Sequence, residues 1–332
     1  MKNLVELIGN TPIIRLNGPS SETGCEILGK AEFVNPGGSV KDRAAWYIIR
    51  DAIETGKLQP GGTIVEGTAG NTGIGLTLIA NSLGFSTTIA VPETQSQEKL
   101  EMLRASGAKL IKVPAVPYRD ENNYIKFSAR LAQELDEELP QGAVWANQFD
   151  NTANRLSHFE TTGPEIWDQT KGKLDAFVSA IGTGGTIAGV SQFLRQKKKD
   201  IMICLADPPG AALYNYFVNG HLTAEGSSIT EGIGQGRITD NLEGIQIDKA
   251  YRIPDQETID IMFRLTREEG LFLGSSSGIN VAASIRLAKE MGPGHCIVTI
   301  LCDSGTRYLS RLYNPDFLQS KELSFPEWLS AD

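Results

Sequence analysis

The chain is poor in the residues that staple or ligate. Its 332 residues include only four cysteines, Cys25, Cys204, Cys296 and Cys302, and three widely separated histidines. There is no CxxC pair and no cysteine–histidine spacing suited to zinc, which argues against a disulfide framework or a metal centre. Such sparse cysteine usage fits a reducing compartment, and Cys296 and Cys302 are expected on one face of an apolar strand as small buried residues. Long apolar runs are missing too. No stretch approaches the roughly 20 residues that span a bilayer, and Met1-Lys2-Asn3 leads into a short amphipathic segment instead of a signal-peptide core. The sequence therefore reads as cytoplasmic. Basic residues are in deficit: 31 Lys and Arg against 40 Asp and Glu give a net charge of −9 spread along the chain. That balance argues against nucleic acid or anionic membranes as partners. The main basic run, Lys197-Lys198-Lys199, falls at a predicted helix C-terminus, where cations complement the dipole.

What remains is an ordinary globular composition, with 40% hydrophobic and 21% charged residues and 35 glycines. From about residue 40 to 312, short apolar runs alternate with helical periodicity, the pattern of a parallel sheet covered by helices. Strands are predicted at 63–66, 87–91, 110–113, 144–146, 176–181, 201–206 and 297–302. Helices are predicted at 74–82, 96–106, 185–199 and 279–289, with Gly56, Gly84 and Gly107 as C-terminal caps. The class is α/β, with two lobes, each a mainly parallel sheet, and a ligand-binding cleft beyond the carboxyl ends of the strands.

Four constellations could carry chemistry. In Asn35-Pro36-Gly37-Gly38-Ser39-Val40-Lys41-Asp42-Arg43, a tight turn precedes a helix with Ser39 as its expected N-cap. Lys41 in the first helical turn is opposed by the dipole, which suits an amine that must attack in its neutral form; a surface lysine paired with an acid has the same spacing. Glu66-Gly67-Thr68-Ala69-Gly70-Asn71-Thr72-Gly73 joins a strand to a helix through small residues and hydroxyls. It suits a phosphate or a carboxylate, or a plain turn. Gly182-Thr183-Gly184-Gly185-Thr186 repeats that arrangement without the lysine of a Walker loop or the full dinucleotide fingerprint, and suits a compact phosphate cradle or a structural turn. Ser304, in Cys302-Asp303-Ser304-Gly305-Thr306-Arg307-Tyr308, lies at the carboxyl edge of the last strong strand, as a ligand contact or a helix cap.

Taken together, these segments resemble the cysteine synthases. The Pro-Gly-Gly-Ser-Val-Lys-Asp-Arg block, the Thr-Ala-Gly-Asn-Thr-Gly loop, Asn147-Gln148-Phe149-Asp150-Asn151, Thr161-Thr162-Gly163-Pro164-Glu165-Ile166-Trp167, the Gly-Thr-Gly-Gly-Thr cradle, Glu231-Gly232-Ile233-Gly234 and Asp-Ser-Gly-x-Arg-Tyr occur in that family's order. The resemblance runs from Ile8 to about Leu312. It implies a tryptophan-synthase-β-like fold with pyridoxal 5′-phosphate in the cleft between lobes. The smaller, mobile lobe (38–149) would bind the substrate carboxylate, and the larger (1–37 and 150–332) would carry the cradle. It further implies that Lys41 bears the cofactor as an imine and then serves as the base at the α-carbon. Asn71 would bond the ring hydroxyl, Gly182, Thr183, Gly184, Gly185 and Thr186 the phosphate, and Ser304 the pyridine nitrogen. Thr68, Ala69, Gly70, Asn71, Thr72, Gln148 and Gly232 would meet the substrate. The implied reaction makes cysteine from an activated serine, O-acetyl-L-serine first, and sulfide or a small thiol through an aminoacrylate. A homodimer and a serine acetyltransferase partner follow from the same resemblance.

Two departures stand out. The family usually has Pro-Thr-Ser-Gly-Asn-Thr where this chain has Gly67-Thr68-Ala69-Gly70-Asn71-Thr72, so one hydroxyl worth about 0.5–1.5 kcal/mol is missing at Ala69. Arg237, in Gly234-Gln235-Gly236-Arg237-Ile238-Thr239, replaces an apolar loop position. It would favour a negatively charged leaving group or a distal carboxylate if it faces the cleft, and is a solvated loop arginine otherwise. Cysteine desulfhydrase and short cystathionine β-synthase use the same intermediate, and a silent binding protein on this fold is the alternative of another class. A nicotinamide-dependent oxidoreductase is disfavoured by the incomplete glycine fingerprints and by the lack of an acidic ribose partner.

Overall fold

A computed structural model describes residues 3–68, 70–95 and 97–330. The chain divides into two compact units, Met1–Gly9 with Asn35–Ser157, and Asn10–Val34 with His158–Asp332. Numbered along the chain, the second unit holds a six-stranded sheet in the order β1-β2-β10-β7-β8-β9. These strands are β1 (Ile13–Arg15), β2 (Glu26–Ala31), β7 (Ala176–Ala180), β8 (Met202–Asp207), β9 (Lys249–Arg252) and β10 (Cys296–Leu301). All neighbours are parallel except β1, which runs antiparallel to β2 at the edge. Its helices are α1 (Asn17–Thr23), α7 (Gly163–Gln169), α8 (Gly185–Lys197), α9 (Leu213–Asn219), α10 (Asp255–Glu269), α11 (Ser275–Met291) and α12 (Pro315–Ser320). Ala176 to Ala180 is buried at every position, as a strand covered on both faces must be. Its core joins Ile27, Val178, Cys204 and Leu301 of the sheet to Ile279 and Val281 of α11.

The other unit is a four-stranded parallel sheet in the order β5-β4-β3-β6. Its strands are β3 (Thr63–Gly67), β4 (Ser86–Pro92), β5 (Lys109–Val113) and β6 (Ala143–Trp145), with helices α2 (Lys41–Glu54), α3 (Asn71–Leu83), α4 (Gln97–Ala105), α5 (Tyr124–Glu138) and α6 (Ala153–Ser157). Ile48 and Ile49 of α2 pack with Ile64 of β3 and Leu76 and Ile79 of α3. Gly84 ends α3 in the left-handed conformation, φ 80°, as expected of a glycine cap.

The α/β class, the parallel sheets and the seven strands expected from apolar runs are present. Three strands escape that reading. β1 and β9 have three and four residues, and β2 carries Gly29 and Lys30 in its interior. Lys30 is buried because oxygens surround it: Thr11 O, Gln169 Oε1 at 3.0 Å and Glu165 Oε2 at 2.7 Å. Gly29 is needed because a Cβ there would stand 2.6 Å from Leu301 Cδ1. The helix of the basic run stops at Lys197, and Lys198 turns away to bond Leu174 O and Asp175 Oδ1 at 3.1 and 2.9 Å. Cys302 lies just past β10 and is half-buried, unlike buried Cys296. Among the described residues, no helix is long and apolar enough to cross a membrane.

Candidate active site

In the unit built on β3–β6, the Pro36-Gly37-Gly38 turn is shaped by its own side chains. Gly38 takes φ 74° and its N–H donates to Asn35 O at 2.7 Å, while Asn35 Nδ2 donates to Ser39 O at 3.2 Å. Gly37 N–H donates to Asp42 Oδ2 at 2.5 Å, and a Cβ on Gly37 would stand 2.5 Å from Asp42 Oδ1. The turn delivers Lys41 as the first residue of α2, half-buried. Ser39 is not the N-cap: Val40 holds that position in helical conformation (φ −58°, ψ −21°), and the Ser39 hydroxyl instead accepts from Lys41 N–H at 3.2 Å. A hydroxyl two residues back closes the turn as well as a cap would, so chain bending and not capping fixes where α2 starts.

The Thr68–Thr72 turn lies at the carboxyl end of β3, and Gly70 occupies the N-cap of α3 without a side-chain cap. An uncapped first turn presents backbone N–H groups, the ordinary seat of an anion. Thr68 is buried and its hydroxyl accepts from Gly70 N–H at 3.2 Å. Thr72 Oγ1 donates to Gln148 Oε1 at 2.5 Å, joining the turn to the loop after β6. That loop is bent by Asn147 in the left-handed region, φ 48°, a conformation asparagine tolerates better than most residues. Asn154 Nδ2 anchors it by donating to Gln148 O at 2.9 Å. Thr68, Gly70, Asn71, Thr72 and Gln148 are thus brought to one place; Ala69 lies outside the described residues. The start of α2, which carries Lys41, packs closely on α3 at Gly75, where a Cβ would be 3.2 Å from Asp42 Oδ1 and 3.3 Å from Ala45 Cβ.

A residue that sequence reasoning passed over completes this group. Glu66 of β3 is buried, and its Oε1 accepts from Gln148 Nε2 at 3.1 Å. Burial pushes its carboxyl up to about 8, against the pull of the Gln148 amide and of the backbone N–H groups of Gln148 and Asn147. The available signal was an acid inside a strand whose other residues are buried on both faces.

In the other unit, the cradle follows β7 directly. Its carbonyls are occupied from one side by the loop at 232–239: Gly234 N–H donates to Ile181 O at 2.9 Å, Gln235 Nε2 to Gly182 O at 3.1 Å and Thr239 Oγ1 to Thr183 O at 2.8 Å. Gly232 is among the expected site residues that reach the cradle, since a Cβ on Gly182 would stand 2.3 Å from its carbonyl oxygen. Gly184 takes φ 92° as N-cap of α8, with no side-chain cap, and a Cβ there would meet Leu242 Cγ at 2.5 Å. Bare backbone followed by an uncapped helix of 13 residues fits a phosphate group. Thr186 Oγ1 is 3.2 Å from Nε2 of buried His158, whose Nδ1 is 2.8 Å from Thr162 Oγ1, so the hydroxyl is held in place. Arg237 is half-buried in the same 232–239 loop.

Ser304 caps a 3₁₀ turn at Gly305–Tyr308, accepting from Thr306 N–H at 3.3 Å and lying 3.0 Å from Thr306 Oγ1. Beside it, Tyr308 OH donates to Asp303 Oδ2 at 2.6 Å. Burial, and then the charge of Asp303, push the Tyr308 phenol well up. The helix-cap reading of Ser304 is therefore realised, and a capping hydroxyl retains lone pairs for a further contact.

A lysine at a helix start, two bare helix N-termini and a hydroxyl at a strand end match the parts that a phosphorylated aldehyde cofactor uses. Residues 4–303 match the family model described as pyridoxal-phosphate dependent enzyme. The chain is 53% identical to cysteine synthase 1 of Neurospora crassa over 99% of its own length and 88% of the relative's. Among solved structures, an O-ureido-L-serine synthase superposes with a TM-score of 0.84 at 34% identity, covering 100% of this chain and 99% of that one. An O-acetylserine-dependent cystathionine β-synthase from Helicobacter pylori superposes with a TM-score of 0.82 at 34% identity, covering 94% and 98%.

Proposed function

The chain belongs to the pyridoxal-phosphate-dependent enzyme family, and from that premise we propose that it makes L-cysteine by β-replacement, from O-acetyl-L-serine and sulfide. The observation that carries this reading is the Thr68–Thr72 turn, where neutral side chains surround an uncapped helix N-terminus, a seat for an amino acid's carboxylate beside Lys41. Identity of 53% to a cysteine synthase supports the product.

When bound, the cofactor supplies an electron sink for removal of the α-proton and loss of the β-substituent. Lys41 Nζ would hold it and, as a free amine, would serve as the base that takes the α-proton. Asn71 would bond the ring hydroxyl, the backbone and hydroxyls of Gly182–Thr186 would take the phosphate, and Ser304 would meet the ring nitrogen without offering a carboxylate to hold a proton there. Thr68, Gly70, Asn71, Thr72 and Gln148 grip the substrate carboxylate, with Ala69 and Gly232 as further contacts and Arg237 favouring an anionic leaving group. The unit of β3–β6 is thus the substrate-carboxylate lobe and the other the phosphate lobe. Structural similarity to a cystathionine β-synthase supports a second reading, in which a larger thiol replaces sulfide. We further place the enzyme in the cytoplasm, which its free cysteines support, as a homodimer able to pair with a serine acetyltransferase.

Borohydride reduction of the holoenzyme followed by peptide mapping should add the mass of the reduced cofactor to the peptide containing Lys41. An unaltered peptide in cofactor-saturated protein sinks the proposal. Turnover with sulfide against homocysteine then separates the two thiols.

A further inference from the structure

Glu66 is 1% exposed, in a strand flanked on both sides by parallel neighbours, and its Oε2 is buried without a hydrogen-bond partner. Its other oxygen begins a relay. Gln148 Nε2 donates to Glu66 Oε1 at 3.1 Å, and Thr72 Oγ1 donates to Gln148 Oε1 at 2.5 Å. Gln148 and Thr72 are 5% and 2% exposed, so the relay runs through the interior from β3 to the first turn of α3.

We propose that Glu66 is a positioning residue for the substrate carboxylate: acting through Gln148, it fixes which way the amide faces, commits the Thr72 hydroxyl proton to Gln148 Oε1, and sets the pH range over which the turn accepts an anion. The inference rests on the reading that Thr68–Thr72 and Gln148 bind that carboxylate. An amide held at both ends presents one orientation; loss of the Glu66 acceptor removes the bond that orients its NH2 end. The carboxyl's displacement to about 8 leaves the relay uncharged at neutral pH. Above that pH, a buried and poorly paired negative charge stands behind the turn and opposes a second anion in it. Among the described residues, the titratable group that senses Glu66 is Tyr124 of α5, whose phenol is pushed up first by burial and second by the Glu66 charge. Its register partner on β4, Ile89, is neutral, as are Gln148, which donates to it, and Thr72 at the far end of the relay.

The test is calorimetric binding of propionate to the holoenzyme between pH 6.5 and 9.5, because propionate has no amine to titrate in that range. Wild-type affinity should fall about tenfold from pH 7 to pH 9, as a group titrating near 8 requires. Glu66→Gln, which keeps an acceptor and never ionises, should hold its affinity within about twofold over that range. Glu66→Leu should raise the KM for O-acetyl-L-serine about fivefold at pH 7, where wild-type Glu66 is uncharged, with kcat changed less, the split expected when a binding orientation is lost. Thermal melts and borohydride labelling at Lys41 verify that both variants are folded and loaded; should the leucine variant not fold, the glutamine variant decides. The same tenfold loss in Glu66→Gln, or an unchanged KM in a folded Glu66→Leu, overturns the inference and leaves the proposed function standing. Absence of propionate binding to the wild type at any pH, with Lys41 labelled, overturns both the inference and the assignment of the carboxylate to this turn. An unlabelled Lys41 overturns the proposed function itself.

Discussion

The two strand-to-helix turns look alike in sequence and differ in what their glycines do. At the start of α8, Gly182 and Gly184 are enclosed: a Cβ would stand 2.3 Å from the Gly232 carbonyl oxygen at one and 2.5 Å from Leu242 at the other. At the start of α3, Gly70 has room, since a Cβ there would meet only Thr68 Oγ1, at 3.9 Å. The first turn is a mould whose shape is set by packing, suited to a group that stays. The second is an open seat whose character comes from side chains, Thr68, Thr72 and Gln148, suited to a group that comes and goes. Glycine is a steric necessity at Gly182 and Gly184, as it is at Gly67 and Gly73 on either side of the second turn, and leaves access at Gly70.

That contrast is easiest to break at its tightest point. Gly182→Ala should have the largest effect: the obstructing atom is backbone, so the loop must shift, at about 1–3 kcal/mol of stability, and pyridoxal-phosphate affinity should fall at least tenfold. Equilibrium dialysis of the cofactor and urea melts check both numbers, and an alanine variant with wild-type cofactor affinity would remove the idea of a mould.

The next effect concerns the buried acid behind the open seat. Glu66 titrates near 8 when folded and near 4.5 when unfolded, so the folded state binds the extra proton and stability falls as pH rises between those values, by about 1.4 kcal/mol per pH unit. Asp207, pushed up to about 6, chiefly by burial, acts in the same direction but is finished above that value. Between pH 6 and 8, the wild type should therefore lose stability more steeply than Glu66→Gln. Urea melts of both proteins across that window check this: equal slopes would mean that the carboxyl is already ionised there and would overturn the prediction.

The smallest effect is predicted for Gly70→Ala. Its φ of −110° and ψ of −158° suit any residue, and the added methyl has space. Stability should change by less than about 1 kcal/mol, the difference between Gly and Ala at an N-cap, with cofactor binding intact and only the substrate KM raised. A collapse comparable to Gly182→Ala, seen in the same melts, would mean that the two turns are moulds of one kind.

Lys41 illustrates what is legible in the amino-acid order. A Pro-Gly-Gly turn forces a reversal, and the helical run after it puts the lysine in a first turn whichever residue caps it. The uncapped helix starts at Gly70 and Gly184 were legible for the same reason: glycine, threonine and asparagine between an apolar run and a helical period leave backbone N–H groups exposed. Ser304, by contrast, was ambiguous, because a strand-end hydroxyl and a cap have the same local sequence.

Local conformation, then, followed from the amino-acid order alone: alternation of periods gave the α/β class, and the turn residues gave the two helix starts that lack a side-chain cap. Only the tertiary structure decided matters that depend on residues distant in sequence. It placed Gln148 on Thr72 and Glu66, 76 and 82 positions away, closed the 232–239 loop on the carbonyls of Gly182 and Thr183, and buried Lys30 among oxygens of the Thr11 loop and α7. The physical reason is range. Backbone conformation is governed by neighbours along the chain, whereas burial, and with it the charge state of an acid such as Glu66, is set by whatever the fold packs around it.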